Sequence, residues 1–114
     1  MIWAAPLMLA AALAARDPDG RQALADLAYA LGQAHALRQV CGSGDQGWRT
    51  RMSQMLELEA SEIALRRRLS DAFNAGFMAE QVAYPTCGPE TRAAERAVAQ
   101  RGNALAQRLG KGPQ

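Results

Sequence analysis

A chain of 114 residues with a formal net charge of +2 and an aromatic content of 5% has room for one small domain and no second core. Its 13 basic and 11 acidic side chains nearly balance, and no aromatic residues interleave with its one compact basic run, Arg66-Arg67-Arg68, which argues against nucleic-acid binding. Abundant Ala, Leu, Arg and Gln favour helices over a β-rich core, so the expected fold is all-α.

Met1 to Ala15 carries no charged side chain and ends in small residues, with Ala12-Leu13-Ala14 fitting the small-x-small cleavage pattern. The run is shorter than the roughly 20 residues a membrane-spanning helix needs, and no Lys or Arg precedes it. Residues 1–15 read as a cleaved export signal, residues 16–109 as a single helical domain and residues 110–114 as a frayed tail. No cysteine sits where a lipoprotein is acylated and no twin arginine precedes the run, so a soluble periplasmic protein is expected. The alternative is an apolar first helix that is retained.

Four helices can be separated by punctuation with a mechanism. Asp17-Pro18-Asp19 supplies an N-cap, a proline for the first turn and a carboxylate that complements the helix dipole. From there a first helix runs toward Val40, stacking Leu24, Leu27, Leu31, Ala34, Leu37 and Cys41 on one face. Gly42-Ser43-Gly44-Asp45 stops it. A second helix follows Asp45 and presents Trp48, Met52, Met55, Leu56 and Glu59, with a break or bend expected at Ala60-Ser61-Glu62. The third carries Leu65, Leu69, Ala72, Phe73, Gly76, Phe77 and Val82. This clearest amphipathic stripe predicts the central element of the core. Tyr84-Pro85-Thr86-Cys87-Gly88-Pro89 ends regular structure, and Pro89 and Glu90 suit the first turn of a last helix. That helix uses Ala94, Ala97, Val98, Arg101, Ala104, Leu105 and Arg108 as a close-packing face.

Cys41 ends the first helix and Cys87 precedes the last, so in an oxidising compartment the pair reads as a structural disulfide. The expected architecture is a small four-helix bundle, or long-helix hairpin, stapled by Cys41–Cys87. Closing a loop of 46 residues would stabilise it by roughly 4 kcal/mol on the chain-entropy model. A redox-active pair is disfavoured, because the spacing is not C-x-x-C.

Candidate binding residues are Trp48, Glu59, Arg67, Asn74 and Tyr84. Asn74 lies between Phe73 and Phe77, where a partly buried amide would bind carbonyls of the disulfide loop or, alternatively, a peptide backbone. Gly76 would permit close approach by another helix or loop. Arg66 to Arg68 fan round a helix, with Arg66–Glu62 and Arg67–Asp71 as expected i,i+4 pairs on a solvated face. Trp48 and Tyr84 flank loops and would either border a groove or cover the core. Glu57, Glu59 and Glu62 do not supply two carboxylates opposed across a cleft. His35, the only histidine, reads as a surface or boundary residue. There is no HExxH, C-x-x-C or Gly-rich phosphate loop. No metal, nucleotide or other cofactor and no catalytic constellation is expected.

Cys41-Gly42, Trp48-Arg49, Met52, Leu56-Glu57-Leu58-Glu59, Arg66 to Arg68 before Leu69, Phe73-Asn74-Ala75-Gly76-Phe77 and Tyr84 with Cys87 together resemble an uncharacterised family of small exported proteins of Gram-negative bacteria. The resemblance runs from about Leu24 to Leu109. It implies an envelope location and brings no activity with it. The leading functional expectation is a noncatalytic periplasmic binding or adaptor protein that meets an envelope protein or a peptidoglycan-associated partner. A small cell-wall hydrolase or hydrolase modulator is the alternative, which a pocket joining Glu59, Arg67, Asn74 and Tyr84 would favour. A third reading is a membrane-surface protein that retains its N-terminal apolar helix.

Overall fold

The computed structural model describes residues 16–110. The expected signal segment, residues 1–15, and residues 111–114 of the expected tail lie outside them. The described chain is all-α: α1 (Pro18–Val40), α2 (Gly47–Glu59), α3 (Ile63–Ala83) and α4 (Pro89–Gly110). Helix α1 starts where the sequence places it. Asp17 is the N-cap, its side chain accepting from the Gly20 amide at 2.7 Å, with Pro18 in the first turn. Helix α4 begins at Pro89 and runs through Gly110, the first residue of the expected tail.

The central element is α1, not α3. Every residue from Ala30 to Leu37 is buried, because α2, α3 and α4 all pack against this helix. A stretch covered on all sides has no polar face to set off its apolar stripe. Ala28, Ala30, Ala34 and Ala36 keep it slim enough for three neighbours to approach. The α3 stripe holds as Leu65, Leu69 and Gly76, with Phe73 and Phe77 half-buried, but Val82 beyond it is 83% exposed.

Two glycines set the α1–α3 crossing. A Cβ on Gly76 would overlap the Tyr29 carbonyl, and one on Gly32 would overlap the Phe73 carbonyl. Each helix therefore offers a bare backbone to the other's main chain. The close approach expected at Gly76 is present. Its counterpart Gly32 is not distinguished in the sequence, lying mid-helix between Leu31 and Gln33.

At the end of α1 the chain turns through Gly42 (φ 72°) and Gly44 (φ 66°), left-handed conformations that favour glycine. Ser43 Oγ accepts from the Asp45 amide at 3.2 Å, and Asp45 Oδ1 accepts from the Gly47 amide at 2.6 Å. The Gly47 hydrogen bond is the chief reason the Asp45 carboxyl is held below its ordinary pKa, with Arg38 adding to it. Cys41 then bonds Cys87, their Cα atoms 4.7 Å apart. Thr91 is buried, and its hydroxyl donates to the Thr86 carbonyl at 2.6 Å, tying α4 to the disulfide loop.

Helix α2 buries Met52 and Met55 and half-buries Trp48, Leu56 and Glu59, as its periodicity requires. It ends before Ala60, at the expected break, and Glu62 takes the N-cap position of α3. The face of α4 is rotated from expectation. Thr91, Val98 and Leu109 are buried and Ala94, Gly102 and Leu105 half-buried, while Ala97, Arg101, Ala104 and Arg108 are exposed. Alanine and the stem of arginine suit either face, so spacing alone did not resolve it. Neither expected pair, Arg66–Glu62 or Arg67–Asp71, is among the ion pairs of the described residues. Glu62 pairs with Arg21 at 3.3 Å, and Arg68 donates to Gln22 Oε1 at 2.6 Å. Side chains of a packed helix find partners on its neighbour as readily as along its own axis.

Candidate functional site

Helices α2 and α4 both pack on α1, and the gap between them is a groove of about 380 Å³ floored by α1. Leu24, Leu27, Ala30, Leu31 and Ala34 form the floor, with Met55 and Leu58 on one wall and Val98, Ala99, Gly102, Ala106 and Leu109 on the other. Small residues on the α4 wall keep the groove open. Leu58 stands at the rim, 79% exposed.

Polar clasps close the two ends. At the first, Arg16 makes a bidentate pair with Glu59 (Nε–Oε1 2.8 Å, Nη2–Oε2 3.0 Å), and its remaining nitrogen donates to the Leu109 carbonyl at 3.1 Å. One guanidinium thus joins the C-terminal ends of α2 and α4, a geometry that suits arginine's planar fork. At the other end Trp48 Nε1 donates to Glu95 Oε2 at 3.1 Å, and Arg38 grips the same carboxylate at 2.6 Å and 2.9 Å. Two guanidinium groups lie over the indole, Arg38 at 5.1 Å and Arg51 at 4.9 Å.

A second cleft, about 410 Å³, opens on the opposite side of α2, facing α3. Arg49 and Ser53 of α2 meet Ser70 and Asn74 of α3 across it, with Phe73 and Phe77 beside His35 on the α1 floor. His35 is not the surface histidine its neighbours suggested. It is 7% exposed, its ring centroid 5.9 Å from Phe73 and 5.5 Å from Phe77, and its Nδ1 is sealed from solvent without a hydrogen-bond partner.

Burial first, then the positive charges of Arg49 and Arg38, hold the His35 imidazole below its ordinary pKa of 6.5, with Asp45 opposing. The folded protein therefore keeps His35 neutral at pH values where the unfolded chain protonates it. The unfolded state then binds the extra proton, so stability falls as pH drops through 6.5 toward the folded value. Thermal melts at about pH 7.5 and about pH 5.5 should show this loss in the native protein and a smaller one in His35→Phe, which keeps a ring against Phe73 and Phe77. Equal losses would remove His35 as the cause.

The sequence-derived candidates divide among these places. Trp48 and Glu59 line the α2/α4 groove, one at each end. Asn74 lines the α2/α3 cleft, is exposed, and does not reach the disulfide loop. The sequence placed it half-buried because it sits between two phenylalanines, but on a helix it falls outside their inward arc. Tyr84 packs with Trp48 and Ala94 against Ala30, Ala34, Leu37 and Val98 and lines neither space. Arg67 is exposed and lines neither. Glu59, Arg67, Asn74 and Tyr84 therefore do not share one of these two spaces.

Sequence reasoning missed Arg16, Arg38 and Glu95, whose roles depend on partners 43 to 93 residues away. It also missed Gln33, buried in α1, whose amide donates to Glu80 of α3 at 3.0 Å and whose carbonyl accepts from Arg101 of α4. Among the described residues no cluster of three or more His, Cys, Asp or Glu could hold a metal ion, and no helix is long and apolar enough to cross a membrane.

No curated protein and no solved structure matches the chain. A family model described as "Protein of unknown function (DUF2385)" matches residues 20–111, spanning all four helices and both cysteines. The chain belongs to that family.

Proposed function

We propose that this protein is a noncatalytic binding or adaptor protein of the bacterial cell envelope, and that its α2/α4 groove holds one alkyl chain presented by an envelope partner. The periplasmic location rests on the export-like Met1 to Ala15 segment and on the disulfide, since such bonds persist in oxidising compartments. The resemblance to small exported proteins of Gram-negative bacteria, carried by the Cys-Gly, Trp-Arg, Phe-Asn-Ala-Gly-Phe and Tyr-x-x-Cys steps, points the same way.

The shape of the groove carries the choice of ligand. Leu24 and Ala34, at the two ends of its floor, lie ten residues apart on a helix, about 15 Å. The groove, about 380 Å³, is lined over that length by aliphatic side chains, which suits an extended apolar chain. Its length and apolar lining fit a single hydrocarbon chain. Carbon–carbon bonds of about 1.5 Å advance about 1.25 Å each when zigzagged, so about a dozen carbons span it. Arg16 is already committed to Glu59, so an anionic head group belongs at the opposite end, beside Arg51 and Trp48.

Trp48 emission, read in a Trp3→Phe background, is expected to change saturably on titration with straight-chain carboxylates. Affinity should rise with chain length to about a dozen carbons, reach the micromolar range, and then level off. Gly102→Leu, whose side chain would fill the groove beside Leu27 and Ala30, is expected to abolish the response without lowering the melting temperature. Affinity that keeps climbing with chain length, or that survives Gly102→Leu, would remove the groove as the site.

A further inference from the structure

The α2/α3 cleft makes a different kind of site from the apolar groove. Its mouth is polar, with Ser53 and Asn74 on facing walls, while Phe73 and Phe77 are half-buried beside the floor. No carboxylate lines it, and its one charged lining residue is Arg49, which is exposed and forms none of the ion pairs among the described residues. Beneath them His35 is buried and leaves Nδ1 without a partner. A cationic fork and an uncommitted amide thus face one cavity, with the buried His35 imidazole in its lining. Its volume lies in the range of small-molecule sites.

We propose that this cleft binds a small monocarboxylate with an aromatic or branched apolar substituent. Arg49 pairs with the carboxylate, the planar guanidinium matching a planar two-oxygen anion. The Asn74 amide donates to the same group from the α3 wall. The substituent packs on Phe73 and Phe77. A single guanidinium with no second cation beside it suits one negative charge rather than a dianion.

Such a ligand is thermodynamically linked to His35. Arg49 and Arg38 face the imidazole with positive charge and Asp45 with negative charge. A bound anion offsets the two arginines, so protonation of His35 becomes easier in the complex. By reciprocity the ligand binds more tightly as pH falls.

Because His35 is the only histidine, its imidazole resonances report on the cleft without assignment ambiguity. The experiment follows them in the full chain during titration with sodium phenylacetate, with phenylacetamide as the uncharged control. The expected result is a saturable shift and a raised His35 pKa with phenylacetate, and neither with the amide. Arg49→Gln and Asn74→Asp, both at exposed positions, should each weaken binding at least tenfold with unchanged melting temperatures. Gly102→Leu should leave it intact, which separates this site from the alkyl groove. A non-saturating drift, equal binding of the amide, or a response lost in Gly102→Leu but kept in Arg49→Gln would overturn the proposal.

Discussion

Replacing Cys41 by serine is expected to lower the melting temperature by on the order of 20 °C. The bridge closes a loop of 46 residues that contains α2 and α3. The chain-entropy model gives about 4 kcal/mol for a loop of that length, and a domain of this size loses about 4–8 °C per kcal/mol. The bridge also fixes the segment before α4 to the end of α1. Melts of Cys41→Ser and of the Cys41→Ser, Cys87→Ser double variant against the oxidised protein test this. The double variant controls for an exposed thiol, and unchanged melting in both would sink the structural role of the bridge. The same assignment requires that protein recovered from a periplasmic fraction be alkylated only after reduction and have lost Met1 to Ala14 or Ala15. A full-length chain with two free thiols would contradict both staple and compartment.

The second large effect concerns three glycines in helices, which should respond to alanine with opposite signs. Glycine in a helix interior ordinarily costs about 1 kcal/mol against alanine, and Gly102 is an ordinary case. A Cβ there would meet Leu27 and Ala30 at 3.7 Å and 3.8 Å, within van der Waals range. Gly102→Ala is therefore expected to be neutral or to stabilise by up to about 1 kcal/mol. Gly32 and Gly76 face the carbonyls of Phe73 and Tyr29. Relief there requires two main chains to separate, because the nearest obstructing atoms at both positions are backbone carbonyls. Gly32→Ala and Gly76→Ala are each expected to destabilise by about 2–4 kcal/mol, with overpacking opening the α1–α3 crossing. Urea unfolding of the three variants distinguishes these cases. Stabilisation at Gly32 would mean that the helices are not in backbone contact.

Much of the fold is legible in the sequence because its punctuation has local physical causes. The Asp17 cap, the left-handed glycines at 42 and 44, the break at Ala60 and the start of α4 at Pro89 each depend on a few adjacent residues. The cysteine pair follows from those boundaries. Centrality was not legible. Amphipathic contrast points to α3, but α1 from Ala30 to Leu37 keeps no exposed face to contrast, and it had to be surrounded before that could be seen. The same limit hid the second clasp of the groove, where Arg38, Glu95 and Trp48 come from three helices. Trp48 and Glu59 could be picked out one at a time, by residue type and helical face. That they stand at opposite ends of one groove depends on α2 and α4 both lying on α1 without packing on each other. His35 was misplaced because alanines on either side say nothing about which neighbour covers them.

The claim that the α2/α4 groove holds one hydrocarbon chain is tested most directly by isotope-filtered nuclear Overhauser spectra of the full-length protein with unlabelled dodecanoate. The expected result is a set of contacts from the chain methylenes to the side chains of Leu27, Met55 and Val98, ordered along the groove, with the carboxylate end nearest Trp48. Contacts confined to the exposed Met78 and Val82 of α3, or none at saturating ligand, would contradict it.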